Sequence, residues 1–338
     1  MEAPLWTETH APDLSELPQP EVRDYLQRAV EEPLNLVLYG PSGSGKTAAV
    51  RALAREAHDD PDNDLVEINV ADFFGMTKKE ISEDPRFASF IDSKRRRNSS
   101  KADLINHVLK ESASYQPVSG SYKTVVLDNA EAIREDFQQA LRRVMEQYHE
   151  TTQFVVTTRQ PTKLIPPIKS RCFPVAVRAP TEDEIVSVLE PILNGEGVEY
   201  DDTGLQFVAG YARGDLRKAI LGAQLLYEQE GAVTTDAYEV LREFGVRGHV
   251  EEMLEDAEAG EFTDARKTLD ELLIDEGYSG QEVLDEMLDV ISRSNRYTGD
   301  RLAEAYRLAG EVDMDLTEGT SGRIHVSRML AELGATGN

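Results

Sequence analysis

Gly40-Pro41-Ser42-Gly43-Ser44-Gly45-Lys46-Thr47, directly after the apolar run LNLVLY and directly before the helical stretch TAAVRALAREA, is the segment on which the fold turns. It matches the phosphate-binding pattern G-x-x-x-x-G-K-[ST], and a strand before it with a helix after it is the context that pattern requires. Its glycines let main-chain N–H groups turn inward onto phosphate oxygens, and the N-terminus of the following helix adds a favourable dipole. In that arrangement Lys46 reaches the β- and γ-phosphates, and the Thr47 hydroxyl ligates Mg²⁺. ATP and Mg²⁺ are the expected ligands.

Working outward, the metal needs an acid delivered by a second strand. Thr124 to Leu127 is apolar and β-prone and ends in Asp128, which makes Asp128 the metal-side carboxylate and, with Lys46, a catalytic candidate. The runs Leu34 to Tyr39, Leu65 to Asn69, Phe154 to Thr158 and Phe173 to Val177 supply further strands between helical patterns. Such alternation specifies a five-stranded, mostly parallel α/β domain over residues 1–179. After Ala179-Pro180 the pattern changes. Thr181 followed by Glu184 is a capping box, and three helices are expected from there to Gln229, forming a helical domain over 180–232. From Thr235 onward the period is helical: Val250, Met253, Leu254 and Ala257, then Ala265, Leu269, Leu272 and Leu273. Residues 233–338 therefore read as an all-α domain of five or six helices.

The chain of 338 residues carries 36 basic and 63 acidic side chains, a formal charge of −27 that opposes non-specific binding to nucleic acid by the protein as a whole. Only 11 of the basic residues are Lys, and this acidic, lysine-poor composition resembles that of proteins from salt-loving organisms. Residues 251–338 hold 22 acidic against 8 basic residues, whereas residues 75–125 hold 10 basic against 6 acidic. Within that basic segment, Lys94, Arg95, Arg96 and Arg97 suit contact with a nucleic-acid backbone. A single cysteine, Cys172, excludes a disulfide framework. No apolar stretch approaches the roughly 20 residues that span a bilayer, and the N-terminus lacks a secretory pattern, so a cytoplasmic protein without membrane contact is expected.

VVLDNAEAIREDFQQALRRVMEQY, FVVTTRQPTKLIPPIKSRC and ARGDLRKAILGAQ, in this order and spacing, resemble the small subunits of replication factor C, the AAA+ clamp loaders. WTETHAPDLSEL at Trp6 resembles that family's opening box, and VRGHVEEMLEDAEAGEFTDARKTLDELLIDEGYSG its collar. The resemblance implies an AAA+ P-loop ATPase domain, a helical lid and a collar used for oligomerisation. It also implies a hetero-pentameric ring of replication factor C subunits that opens the sliding clamp PCNA and loads it onto primer-template DNA during replication. Together with the composition it implies a haloarchaeal paralogue. By the same resemblance Arg217 is sensor 2 and Arg171 an arginine finger acting in trans on a neighbouring subunit's ATP.

The departures bear on hydrolysis. Where the family has Asp-Glu-Ala-Asp, this chain has Asp128-Asn129-Ala130-Glu131, and an amide cannot accept a proton from the attacking water. Glu131, past the strand end, substitutes only if the loop bends back. Arg159 stands where the family has the sensor 1 Asn, and Thr9-His10-Ala11 replaces Lys-Tyr-Arg ahead of Pro12. Weak hydrolysis is expected. The alternatives are a subunit hydrolysing through another base, and another AAA+ DNA-transaction ATPase such as a branch-migration motor; the acidic helical C-terminus opposes the last.

Overall fold

The structure, a computed structural model, describes residues 4–84, 91, 99–118, 120–234, 246–275, 278–318 and 321–335. Lys94, Arg95, Arg96 and Arg97 lie outside the described residues. The chain divides into two units, Met1–Thr234 and Thr235–Asn338.

The first unit is built on a five-stranded parallel sheet in the order β2-β3-β4-β1-β5, from β1 (Leu36–Tyr39), β2 (Leu65–Asn69), β3 (Lys123–Asp128), β4 (Thr152–Thr158) and β5 (Phe173–Ala176). Every residue of β3 and β4 is buried, because helices cover both faces, and their central residues are apolar on both sides. Leu36, Leu38, Val126 and Val155 pack on one face beneath α1 (Pro20–Glu31) and α2 (Lys46–Ala57). Val37, Val125, Leu127, Phe154 and Val156 pack on the other with α3 (Lys101–Ser114) and α4 (Glu135–Gln147). This period-2 division sorts one run of apolar residues into two cores. The five strands fall within two residues of the expected ones.

Register then positions the chemistry. Tyr39 pairs with Thr158 and Leu127 with Val156, so the C-terminal ends of β1, β3 and β4 lie side by side. In open parallel sheets this carboxyl edge, at the point where strand order reverses, is where ligands bind.

The same unit continues into three helices, α5 (Glu182–Glu196), α6 (Asp202–Ala212) and α7 (Leu216–Glu230). The expected capping box opens α5: Thr181 Oγ1 accepts the Glu184 N–H at 3.2 Å and the Thr181 N–H donates to Glu184 Oε2 at 2.9 Å. A small parallel pair, β6 (Glu199–Tyr200) with β7 (Ala232–Val233), was not legible in the sequence; two-residue strands carry too little pattern.

In the second unit the described residues form α8 (Val246–Ala259), α9 (Phe262–Asp270) running into a π-helical turn (Glu271–Asp275), α10 (Gly280–Arg293), α11 (Gly299–Glu318) and α12 (Gly322–Ala335). The periodic set Val250, Met253, Leu254, Ala257, Ala265, Leu269 and Leu272 is buried in its core. Some arginines on its surface serve several carboxylates: Arg328 meets Glu311 at 2.7 Å, Asp315 at 3.2 Å and Glu332 at 2.7 Å. No described helix is long and apolar enough to cross a membrane.

Candidate nucleotide-binding site

The loop between β1 and α2 is shaped for an anion by its backbone. Gly43 and Gly45 have φ of +66° and +91°, in the left-handed region that glycine enters without a Cβ penalty. The Gly40 N–H donates to Thr158 O at 3.2 Å, which anchors the start of the loop to β4. The N–H groups of Gly43, Gly45, Lys46 and Thr47 find no acceptor among the described residues. Consecutive unpaired donors at a helix N-terminus form a cradle for phosphate. Lys46 folds over it, donating to Pro41 O at 2.6 Å and Gly40 O at 3.0 Å. Burial holds the Lys46 ammonium below its ordinary pKa, outweighing the attraction of Asp128 and Glu131.

Asp128 ends β3 beside this loop and is buried. Thr47 Oγ1 donates to its two carboxylate oxygens at 3.2 and 3.1 Å, and Thr157 Oγ1 donates to Oδ1. Thr47 and Asp128 thus meet as the sequence reading requires, and a hydroxyl beside a carboxylate is an oxygen donor set suited to Mg²⁺. Thr157 is an addition that no motif announced; only strand pairing places it there.

The three-helix segment closes on the loop through Gly214-Asp215-Leu216. Leu216 N–H donates to Gly43 O at 2.9 Å, and Asp215 caps α7 by accepting the Lys218 N–H at 2.9 Å. A Cβ on Gly43 would stand 2.0 Å from Asp215 Cγ, so glycine is needed there for close approach as well as for φ. Arg217, one residue further, is exposed and has no partner among the described residues. The N-terminal box docks on the same helices: Trp6 N–H donates to Gln224 Oε1 at 2.9 Å, its ring stacks on Tyr227, and His10 Nε2 lies 2.5 Å from Glu196 Oε1.

After Asp128 the backbone turns sharply. Asn129 is left-handed, with φ 57° and ψ 47°, a conformation Asn tolerates and most side chains enter at a cost of about 1–2 kcal/mol. The turn carries Glu131 back to the end of β4. There Glu131 Oε2 accepts from Thr158 Oγ1 at 2.9 Å and from the Arg159 N–H at 3.2 Å, and Oε1 accepts from Arg159 Nε at 2.8 Å. Burial pushes the Glu131 carboxyl up, but bonds from Arg159, its own backbone and Thr158 prevail and hold it below the ordinary value. The loop therefore does bend back, and the carboxylate it delivers is already bonded. Asn at 129 and the complementary charges at 131 and 159 were the available signals.

Arg171 lies away from this cluster. It pairs with Glu146 of α4 and donates to Pro167 O at 2.8 Å. Burial pushes the neighbouring Cys172 thiol up to about 12, which keeps it protonated at ordinary pH.

A family model described as the replication factor C C-terminal domain matches residues 248–332, and one described as DNA polymerase III, delta subunit, matches residues 19–181. Among curated proteins named replication factor C small subunit, that of Methanocella arvoryzae is 32% identical, covering 88% of this chain and 84% of the relative. That of Staphylothermus marinus is 30% identical, covering 98% and 95%. The chain belongs to the replication factor C small-subunit family. The Halobacterium salinarum member is 28% identical over 97% of this chain and 95% of its own length, consistent with the salt-adapted composition. The fold is that of an AAA+ P-loop domain with a helical segment, followed by the family's C-terminal helical domain. In line with this, a solved Thermotoga maritima RuvB superposes with a TM-score of 0.50 at 16% identity, covering 70% of this chain and 76% of that one.

Proposed function

We propose that this chain is a small subunit of a replication factor C clamp loader that holds MgATP in its own site and turns it over weakly, acting on ring partners, the sliding clamp PCNA and primer-template DNA. Family membership supports the clamp-loader role. The observation that carries the silent site is a complete phosphate cradle whose nearby strand-end carboxylates are already engaged. Gly40 to Thr47 would hold the phosphates, with Lys46 against the β- and γ-phosphates and Thr47 and Asp128 on the Mg²⁺ side. Bound MgATP would supply a phosphoanhydride for cleavage and negative charge to be felt by the lid and by a neighbouring subunit. Asn129 cannot take a proton, Asp128 accepts from Thr47 and Thr157, and Glu131 accepts three hydrogen bonds. Absence of a positioned general base costs on the order of 10²- to 10⁴-fold in rate.

In this reading residues 1–179 form the nucleotide-binding domain, 180–232 a lid that carries Arg217 as sensor 2, and 233–338 the oligomerisation collar. Arg171 leaves Glu146 to act in trans. The Lys94 to Arg97 segment contacts DNA phosphates.

The test is a reconstituted complex in which the P-loop lysines of all other subunits are replaced. Bound fluorescent ATP analogue, lost in Lys46→Ala, together with turnover at least about 10²-fold below the intact complex, is expected. Turnover by this site at the rate of the others would refute the silent-site reading.

A further inference from the structure

We propose that Arg178 is a hinge clamp: by gripping Glu184 it sets the angle at which the three-helix segment, α5 to α7, meets the phosphate loop. The inference rests on contacts within the fold and goes beyond the reading of the site as a nucleotide holder.

The hinge itself is two residues long. Val177 is still paired with the sheet, its N–H donating to Tyr39 O at 2.8 Å. At Arg178 a side chain takes over from the strand. The buried Gln19 amide donates to Arg178 O at 2.8 Å and accepts the Arg178 N–H at 3.1 Å, holding both main-chain groups of that residue. Ala179 and Pro180 follow, and Thr181 already caps α5. A change of angle between the sheet and the helices falls on this short joint, where Pro180 has a fixed φ.

The Arg178 side chain spans the joint. Its two terminal nitrogens donate to the two Glu184 carboxylate oxygens, each at 2.6 Å, and its Nε donates to Glu21 Oε1 at 3.2 Å. Glu21 lies in the first turn of α1 and Glu184 in the first turn of α5. One guanidinium therefore ties a helix packed on the sheet to the helix beyond the hinge. A parallel fork fixes direction as well as distance, which a lysine ammonium does not. The Glu184 side chain is 17% exposed, so its half of the pair is largely withdrawn from solvent screening.

The opposite side of the joint leads to the phosphate loop. A Cβ on Gly214 would stand 2.8 Å from Ala179 Cβ and 3.3 Å from Pro180 O, so the turn between α6 and α7 sits on the hinge. Two residues later the Leu216 N–H donates to Gly43 O at 2.9 Å. Movement at Ala179-Pro180 displaces Gly214, and with it the contact at Gly43. A surface ion pair inside a rigid body contributes little to stability. This pair crosses a joint, so its effect falls on the angle.

The test reads hydrogen exchange at single amides of the full-length chain without nucleotide, under conditions where exchange follows the opening equilibrium. The Leu216 N–H reports contact with the loop. The Ala219 N–H, which donates to Asp215 O at 3.0 Å, reports the integrity of α7. Arg178→Met should speed Leu216 exchange by about 3- to 10-fold and leave Ala219 unchanged. Arg178→Lys should fall between this variant and wild type, since it keeps the charge without the fork. Glu184→Gln should match Arg178→Met, and because glutamine also serves in a capping box it carries the result if Arg178→Met fails to fold. The double variant should exchange no faster than the faster single one, since both act through one contact. Unchanged Leu216 exchange in both single variants, equal acceleration at Ala219, or additive effects in the double variant would each overturn the clamp. No nucleotide is present, so the outcome is independent of whether the cradle binds ATP.

Discussion

Replacing Lys123 by Met should stabilise the first unit at neutral pH and lose that advantage as the pH rises. Lys123 opens β3 at 2% exposure, and its Nζ makes no hydrogen bond among the described residues; its favourable contacts there are the Tyr115 ring, 5.7 Å from Nζ to centroid, and the charge of Asp64. Burial lowers its pKa from the ordinary 10.5 to about 8, a displacement only partly opposed by Asp64. At about 1.36 kcal/mol per pH unit, keeping the proton in the folded state costs about 3 kcal/mol. The sign follows from proton counts. The folded chain loses the proton near pH 8 and the unfolded chain near 10.5, so between these values the unfolded state binds more protons and stability increases with pH. Below pH 8 the whole penalty is present. Met has similar length and no charge, but its presence deprives buried Asp64 of an attractive partner, so the net gain at pH 7 should be nearer 1–2 kcal/mol. Urea unfolding at pH 7, 8, 9 and 10 can follow Trp6, the single tryptophan, which is buried in the same unit. The difference between Lys123→Met and wild type should move by about 2–3 kcal/mol across that range, from a gain at pH 7 to no gain or a small deficit at pH 10. A difference constant with pH, or one that grows, would refute the account of Lys123 as a buried, costly charge.

Other expectations concern the site and its partners. Gly43→Ala would drive a Cβ to within 2.0–2.2 Å of the Asp215 carboxyl, so the lid contact should open and nucleotide affinity fall at least about 10-fold; adding Asp215→Ala should recover part of it, and no recovery would assign the loss to backbone strain alone. Arg171→Ala should leave nucleotide binding by the isolated chain intact yet lower the ATPase of the assembled complex by about 10³-fold or more at the neighbouring site; unchanged turnover would leave Arg171 as no more than the partner of Glu146. Replacing Lys94 to Arg97 by Gln should reduce the salt dependence of DNA binding by the complex, since each phosphate contact releases counterions; an identical slope would remove the segment from the DNA interface.

Much of this protein is legible before folding. The loop at Gly40 to Thr47, the strand ending at Asp128, the capping box at Thr181 and the helical period from Val250 onward are local patterns, each fixed by sterics or periodicity over a few residues, and the structure reproduces each of them. That an amide stands at position 129 is likewise a one-residue fact. Other features depended on elements distant in sequence. Thr157 reaches Asp128, and Arg159 reaches Glu131, only because β4 lies between β3 and β1, which no local pattern encodes. Asp215 presses on Gly43 because two segments 172 residues apart pack together, and the glycine's need for space is invisible until they do. Nothing in the sequence sets Lys123 apart from other lysines, and its charge becomes costly only when tertiary packing removes the water around it. Sequence by itself determined which groups can bind phosphate, ligate a metal or accept a proton, because those are properties of side chains and short backbone motifs. Tertiary structure decided which of those groups remain free to act, because hydrogen-bond saturation and desolvation are set by neighbours that only the completed fold supplies.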